Sequence, residues 1–393
     1  MRVLIAPDSF GGTLTARQAA QAIAAGWRRG APGDEVLLLP LADGGPGFLD
    51  VLRAALGGEL VPATVTGPLG DPVPAAVLLT AGETPVAYIE SAQAVGLHLV
   101  PIERRDPTRT SSVGVGQLLR VALDLGARRV VVGLGGSVTN DSGAGMLSGL
   151  GVGSPTLRAG GGALIAVTGT DLAGLSNVRA ALAGVDLIAA ADVDVPLLGL
   201  SGASAGFAGQ KGASPAQAQD LERCLAHFAQ VVGQVLADPS GPDRARLLAS
   251  RSARDGGRGL THLPGAGAAG GLGFALAALG ARVLPGALVT ADAVGLDRRA
   301  GQADLLVTGE GTLDWQSLRG KVVSAVAARG LSLGIPVVVV AGQANLGRRE
   351  WGAAGISGVY AVAERAEQLP GALSDPAGTL AARTQRVAST WSR

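Results

Sequence analysis

Short apolar runs that end in a glycine-and-carboxylate turn and then feed an amphipathic stretch recur along this chain. That recurrence constrains its fold more than any other feature. Residues 3–6 form an apolar run, residues 7–12 a turn, and residues 15–27 a helical pattern with Ala16, Ala20, Ile23 and Trp27 on one face. Thr15 and Gln18 stand at capping-box spacing. A second run at 36–39 leads into Ala42-Asp43-Gly44-Gly45 and a helix through Leu56. Strand, loop, helix, repeated, is the pattern of a parallel sheet covered on both faces.

Near residue 70 the rhythm shifts to shorter β-like pieces, 75–79 and 86–90, before a helix at 115–125. The alternation then resumes with strand 129–133, loop 134–141 and helix 143–150, followed by strand 187–191, loop 192–212 and helix 215–236. Residues 238–257 read as a polar loop. After the small-residue stretch 264–273 and a helix through Leu279, residues 305–341 again read strand, helix, strand. The chain's two ends share one style and its middle another. The expected fold is therefore α/β: a Rossmann-like doubly wound parallel-sheet domain from residues 1–70 and 289–393, with a second α/β domain, 71–288, inserted. A cleft between two such domains is the default ligand site.

Composition narrows the partner. A formal net charge of +1 and 3% aromatics leave no basic, ring-lined surface for nucleic acid. No apolar run approaches the roughly 18 residues of a membrane span. The first residues enter a strand pattern at once, and the lone cysteine, Cys224, suits a reducing compartment. These features predict a soluble cytoplasmic protein, monomer or homodimer, acting on a small molecule. His98, His227 and His262 show no metal-ligand spacing, and no Gly-x-Ser-x-Gly elbow follows a strand.

Among 32 Lys and Arg residues only Lys211 and Lys321 are lysines. Where arginine replaces most generic cations, a surviving lysine marks a place that needs a compact ammonium, chance retention on the surface being the bland alternative. Lys211 lies between glycines in Gly209-Gln210-Lys211-Gly212, where it could neutralise a transferring phosphoryl group.

Four post-strand loops could carry chemistry: Asp8-Ser9-Phe10-Gly11-Gly12, Asp43-Gly44-Gly45, the loop from Gly133 to Asp141, and Thr308-Gly309-Glu310-Gly311. Gly135, Gly136, Ser137, Thr139, Asn140 and Asp141 combine turn-forming glycines with hydroxyl, amide and carboxylate groups ahead of a helix. That combination suits phosphate, although a tight connection would look the same. Asp192 ends an apolar strand, where a carboxylate can hold Mg²⁺, accept a substrate proton or only make a turn. The glycines of 265–273 either open an anion-binding helix or allow close packing.

In this order, Ala6-Pro7-Asp8-Ser9-Phe10, Ala42-Asp43-Gly44-Gly45, Val65-Thr66-Gly67-Pro68-Leu69-Gly70, Gly135-Gly136-Ser137 through Thr139-Asn140-Asp141, Gly143-Ala144-Gly145-Met146-Leu147, Gln210-Lys211-Gly212-Ala213, the glycine run 265–273 and Thr308-Gly309-Glu310-Gly311 with Leu313-Asp314 span nearly the whole chain. Together they resemble the bacterial glycerate kinase family. The resemblance implies a two-domain α/β enzyme that transfers the ATP γ-phosphoryl group to glycerate with Mg²⁺, in most members giving 2-phosphoglycerate.

On that basis Asp192, Lys211 and Glu310 are candidate catalytic residues, Asp192 also the candidate metal ligand. The 135–141 loop would cradle phosphate, and Asp8, Ser9, Asp43, Gly44 and Gly45 would line the substrate pocket. The chain departs from the family pattern at Gly11, Pro46, Phe48 and Thr312, where polar or cationic residues are usual. A kinase of another small hydroxy acid or polyol, or a binding homologue with impaired catalysis, are the alternatives.

Overall fold

A computed structural model describes residues 1–82, 84–237 and 258–392. The expected polar loop at 238–257 lies outside the described residues. The chain divides into two compact units, the first made of Met1–Asp43, Asp50–Gly57 and Gly286–Arg393, the second of Gly44–Leu49 and Gly58–Pro285.

The first unit is built on five parallel strands in the order β13-β11-β9-β1-β2. They are β1 (Arg2–Ile5), β2 (Glu35–Leu38), β9 (Leu305–Thr308), β11 (Val337–Ala341) and β13 (Gly358–Ala361). Valine-rich β11 is buried throughout and faces two ways. Val338 and Val340 join a core with Ile23 and Trp27, whereas Val339 and Ala341 join one with Val323 and Ile356. Both faces are therefore covered, as the uninterrupted apolar run requires.

Helix α1 (Ala16–Gly30) begins at the Thr15–Gln18 capping box and packs on the C-terminal helix Pro376–Trp391. A Cβ at Gly26 would stand 2.1 Å from the Ala381 carbonyl oxygen, so glycine sets how closely the two backbones approach. The short strands β10 (Thr312–Leu313) and β12 (Gln343–Ala344) pair in parallel beside this sheet.

The second unit carries a six-stranded sheet in sequential order: β3 (Glu59–Thr66), β4 (Pro72–Thr80), β5 (Val86–Glu90), β6 (Arg129–Leu134), β7 (Asp186–Ala191) and β8 (Arg282–Pro285). The pairs β3–β4 and β4–β5 are antiparallel, while β5 through β8 are parallel. Residues 59–66, N-terminal to the rhythm change expected near residue 70, pair along their whole length with β4.

Two expected helices differ in detail. The helix expected at 143–150 is a four-residue α-turn, Ala144–Leu147, continued by a wider turn over Ser148–Val152. The small-residue stretch enters the helix Ala268–Ala278 through a left-handed run, Ala269, Gly270 and Gly271, with φ of 51°, 71° and 93°. Among the described residues no helix is long and apolar enough to cross a membrane.

Candidate active site

In the first unit, chemistry gathers where parallel strands end. After β1 the backbone holds register with β9: Ala6 N–H donates to the Val307 carbonyl at 2.7 Å and Asp8 N–H to the Gly309 carbonyl at 2.9 Å. The buried Thr308 hydroxyl donates to the Ala6 carbonyl at 2.8 Å. On the other flank Leu41 N–H donates to the Pro7 carbonyl at 2.9 Å, carrying the chain toward Asp43. Three adjacent strands, β9, β1 and β2, thus deliver Glu310, Asp8 and Asp43 to one sheet edge, the usual ligand edge of a parallel sheet.

Asp8 and Glu310 are buried carboxyls. Burial drives the Asp8 carboxyl well above its ordinary range and the Asp43 charge adds to this, against a 2.6 Å hydrogen bond from Ser9 N–H to Asp8 Oδ1. Burial likewise pushes Glu310 up to about 7, with Asp314 and Asp43 raising it further while Ser317 and Lys321 hold it down. Among the described residues its Oε1 has no hydrogen-bond partner. A carboxyl that titrates near neutrality in a cluster of charges is equipped to take or give a proton. Sequence reasoning singled out Lys321 for its rarity without assigning it a role. It occupies the N-cap position of the helix Val322–Leu333 and faces both Asp8 and Glu310 electrostatically.

In the second unit the loops after β6 and β7 enclose a cavity of about 60 Å³, lined in part by Gly135, Gly136, Ser137, Asp192, Lys211 and Gly270. Lys211 is only 2% exposed. Its Nζ donates to the Thr139 carbonyl at 2.7 Å and to Ser137 Oγ at 3.1 Å. Burial lowers its proton affinity to about 8, against the attraction of Asp192 and Asp141. Asp192 stands against Gly135, whose Cβ, if present, would meet its Oδ2 at 2.9 Å. Glycine at 135 is therefore what lets the loop and this carboxylate share the space.

The remaining loop residues divide by role. Asp141 is fully buried and turned into the fold: it accepts from Ser112 N–H and Oγ, both at 2.8 Å, and from the amides of Gly143 and Gly145. Burial raises its pKa and these donors oppose the rise. This geometry makes it the pin that shapes the loop. Asn140 is buried as well and donates to Ser204 Oγ at 2.9 Å, while among the described residues its Oδ1 and Thr139 Oγ1 have no hydrogen-bond partner.

The glycines of 265–273 serve close approach. A Cβ at Gly270 would lie 2.0 Å from the Thr139 carbonyl oxygen, and Ser142 N–H donates to the Gly270 carbonyl at 2.9 Å. The left-handed Ala269 beside them is uncommon for a residue with a side chain and clusters at functional sites.

Gly44 and Gly45 belong to the second unit and press on the ends of β6 and β7; a Cβ on Gly44 would meet the Ala190 carbonyl oxygen at 2.4 Å. Asp8, Ser9 and Asp43 belong to the first. Glu90, at the end of β5, escaped sequence reasoning because nothing in Val86–Glu90 sets it apart from any strand-ending carboxylate. Elsewhere, Phe48 is core, edge-on to Tyr88 at 6.2 Å, and His227 Nε2 lies 2.8 Å from the Val167 carbonyl oxygen.

Glycine backbone, a hydroxyl and an ammonium around one cavity form a donor set of the kind that phosphate takes. Among the described residues no group of three or more His, Cys, Asp or Glu is arranged to hold a metal. Asp192 is the one carboxylate among the residues that line the cavity.

A family model described as the glycerate kinase family matches residues 3–392. The chain is 39% identical to the glycerate kinase of Halalkalibacterium halodurans, over 100% of this chain and 99% of that one. It is 37% identical to the glycerate 2-kinase of Escherichia coli, over 87% and 85% of the two chains. A crystal structure of a candidate glycerate kinase 2 from Salmonella typhimurium LT2 resembles it with a TM-score of 0.76 and 35% identity, covering 99% of this chain and 98% of that one.

Proposed function

The chain belongs to the glycerate kinase family, and on that premise we propose that it transfers the γ-phosphoryl group of ATP to the 2-hydroxyl of glycerate, giving 2-phosphoglycerate and ADP. The observation that carries the reading is the buried Lys211 ammonium on the glycine-rich loop beside Asp192. In phosphoryl transfer the protein does little covalent chemistry; it positions the reactants and stabilises charge. Lys211 supplies positive charge to the phosphoryl oxygens, and the Gly135–Gly136–Ser137 backbone and hydroxyl orient them. Glu310, protonating near pH 7, takes the proton of the attacking hydroxyl as its oxygen bonds to the γ-phosphorus and the bond to the bridging oxygen of ADP breaks. Asp8, Ser9 and Asp43 orient glycerate. Asp192 would hold Mg²⁺, which supplies charge neutralisation to the phosphates when bound; Asp192 is also the second carboxylate able to serve as base.

One observation favours a different acceptor. Gly11 and Thr312, where cations are usual in the family, line a cavity of about 130 Å³ with Phe10, Leu369 and Leu373, and no charged side chain lines it. A kinase for a less acidic hydroxy compound would present such a surface. The deciding experiment is a coupled assay of ADP formation with Mg²⁺ over glycerate, other hydroxy acids and polyols, with ³¹P NMR of the product. Glycerate giving the highest kcat/KM and a 2-phosphate product supports the reading. A polyol outrunning glycerate refutes the acceptor, and absence of ADP formation with every acceptor refutes the kinase.

A further inference from the structure

We propose that Glu90 is a positioning residue for phosphoryl transfer, acting through the backbone segment that backs the glycine-rich loop; this rests on the phosphate-binding reading of Gly135–Ser137 and Lys211. The buried Glu90 carboxylate lies at the end of β5, in register with Gly133 of β6. Its Oε2 accepts from Gly47 N–H and Leu49 N–H, both at 3.1 Å. These amides open helix α2 (Phe48–Leu56), where backbone donors have no partner within the helix. A carboxylate there satisfies them and favours the helix's positive end. The cap comes from a strand more than forty residues away in sequence.

The segment so held is in backbone contact with the phosphate loop. A Cβ added to Gly133 would lie 2.6 Å from the Gly44 carbonyl oxygen and 2.8 Å from the Phe48 ring. One on Gly135 would lie 2.8 Å from Gly45 Cα, and one on Gly136 2.9 Å from Pro46 Cγ. Gly133 near the end of β6 and the loop glycines Gly135 and Gly136 thus have no room for a side chain, because residues 44–48 occupy it. Interiors at such density transmit displacement. Releasing Gly47 and Leu49 shifts residues 44–48, and the loop that leans on them moves too. Misplacement of about 1 Å at a reacting group can cost about 100-fold in rate.

The test uses the full chain carrying Glu90→Ala, Glu90→Gln or Glu90→Asp, with Lys211→Met as reference. Folding is followed by thermal melting, and kcat and KM are measured separately for ATP and for glycerate. Glu90→Ala should lower kcat/KM for ATP by at least about tenfold while KM for glycerate stays within about twofold. Glu90→Gln should restore most of it, since one amide oxygen can accept both N–H groups. A folded Glu90→Ala with kcat/KM for ATP within about twofold of wild type overturns the proposal, as does a loss carried only by a rise in KM for glycerate. If Glu90→Ala does not fold, Glu90→Asp decides: the carboxylate is kept but withdrawn by one methylene, so kcat/KM for ATP should fall at least about fivefold, and a wild-type value overturns the proposal. If Lys211→Met retains wild-type activity, the phosphate-binding reading itself has failed. If only Lys211→Met is impaired, the positioning role alone has failed.

Discussion

Replacing Lys211 by methionine separates a structural lysine from a catalytic one. The substitution keeps an unbranched apolar stem and removes the ammonium. On the stability side, it leaves the Thr139 carbonyl and Ser137 Oγ without their 2.7 Å and 3.1 Å partner, at a cost of about 1–3 kcal/mol. Against this, the native ammonium is held at a pKa of about 8 instead of 10.5, equivalent to about 3 kcal/mol acting against the charged form that methionine does not carry. The two effects are of similar size and opposite sign, so Lys211→Met should melt within a few degrees of wild type. Activity has no such offset. Removing a preorganised charge from a desolvated site costs roughly 10-fold to 10³-fold in kcat.

The pH profile adds a second signature. Wild-type kcat/KM for ATP should fall as pH rises through about 8, where the ammonium deprotonates, and Lys211→Met should lack that limb. Stability runs the other way. A lysine whose folded pKa is depressed stabilises the fold above its unfolded pKa of 10.5, and this contribution is lost as pH falls through about 8. The assays are coupled ADP formation and differential scanning fluorimetry across pH. A folded Lys211→Met with kcat within about twofold of wild type and an unchanged alkaline limb would refute the charge-stabilisation argument.

Glu310→Gln should lower kcat by about 10²–10⁴-fold and abolish the acid limb near pH 7. Because its folded pKa is raised, Glu310 contributes stability that is present below pH 4.5 and lost as pH rises through about 7; the glutamine variant should show a flatter urea midpoint across that window, and an unchanged slope counts against the assignment. Gly270→Ala forces a Cβ to within 2.0 Å of the Thr139 carbonyl oxygen at a φ of 71°, and should destabilise by at least about 2 kcal/mol in urea; a wild-type midpoint refutes the close-approach account. Asp141→Asn turns an amide NH₂ or a single oxygen toward four donors and should also cost at least about 2 kcal/mol, read by the same melt.

Much of this architecture is legible in the sequence because parallel strands buried on both faces write themselves as apolar runs, as at β9 and β11. Their loops announce themselves through glycine and carboxylate. The antiparallel edge is less legible: β3 and β4 hold Pro62, Pro72 and Pro74, and their half-buried alternation gives a weak signal. The site splits similarly. Lys211 was visible through the replacement of most lysines by arginine, and Glu310 through its glycine flanks. That Asp141 turns inward to four donors, while Asp192 stands beside Lys211, depends on which loop packs on which, and neighbours in sequence carry no trace of it. Glu90 was invisible for the same reason, since its partners, Gly47 and Leu49, lie more than forty residues away at the start of α2. The left-handed Ala269 breaks a local rule that sequence reading obeys, under the packing of Gly270 on Thr139.

The scarcity of lysine has a practical consequence for chemical probing. The two ε-amines of the chain each sit beside the carboxylates of a different unit's cluster. A reagent that acylates amines therefore meets few lysines: Lys321 is partly exposed, whereas Lys211, 2% exposed, reacts only when its surroundings open. Mass added at position 321 then reports on the first unit's cluster, and mass added at 211 reports on opening of the buried cavity in the second. The protein arrives with its reporter groups already installed.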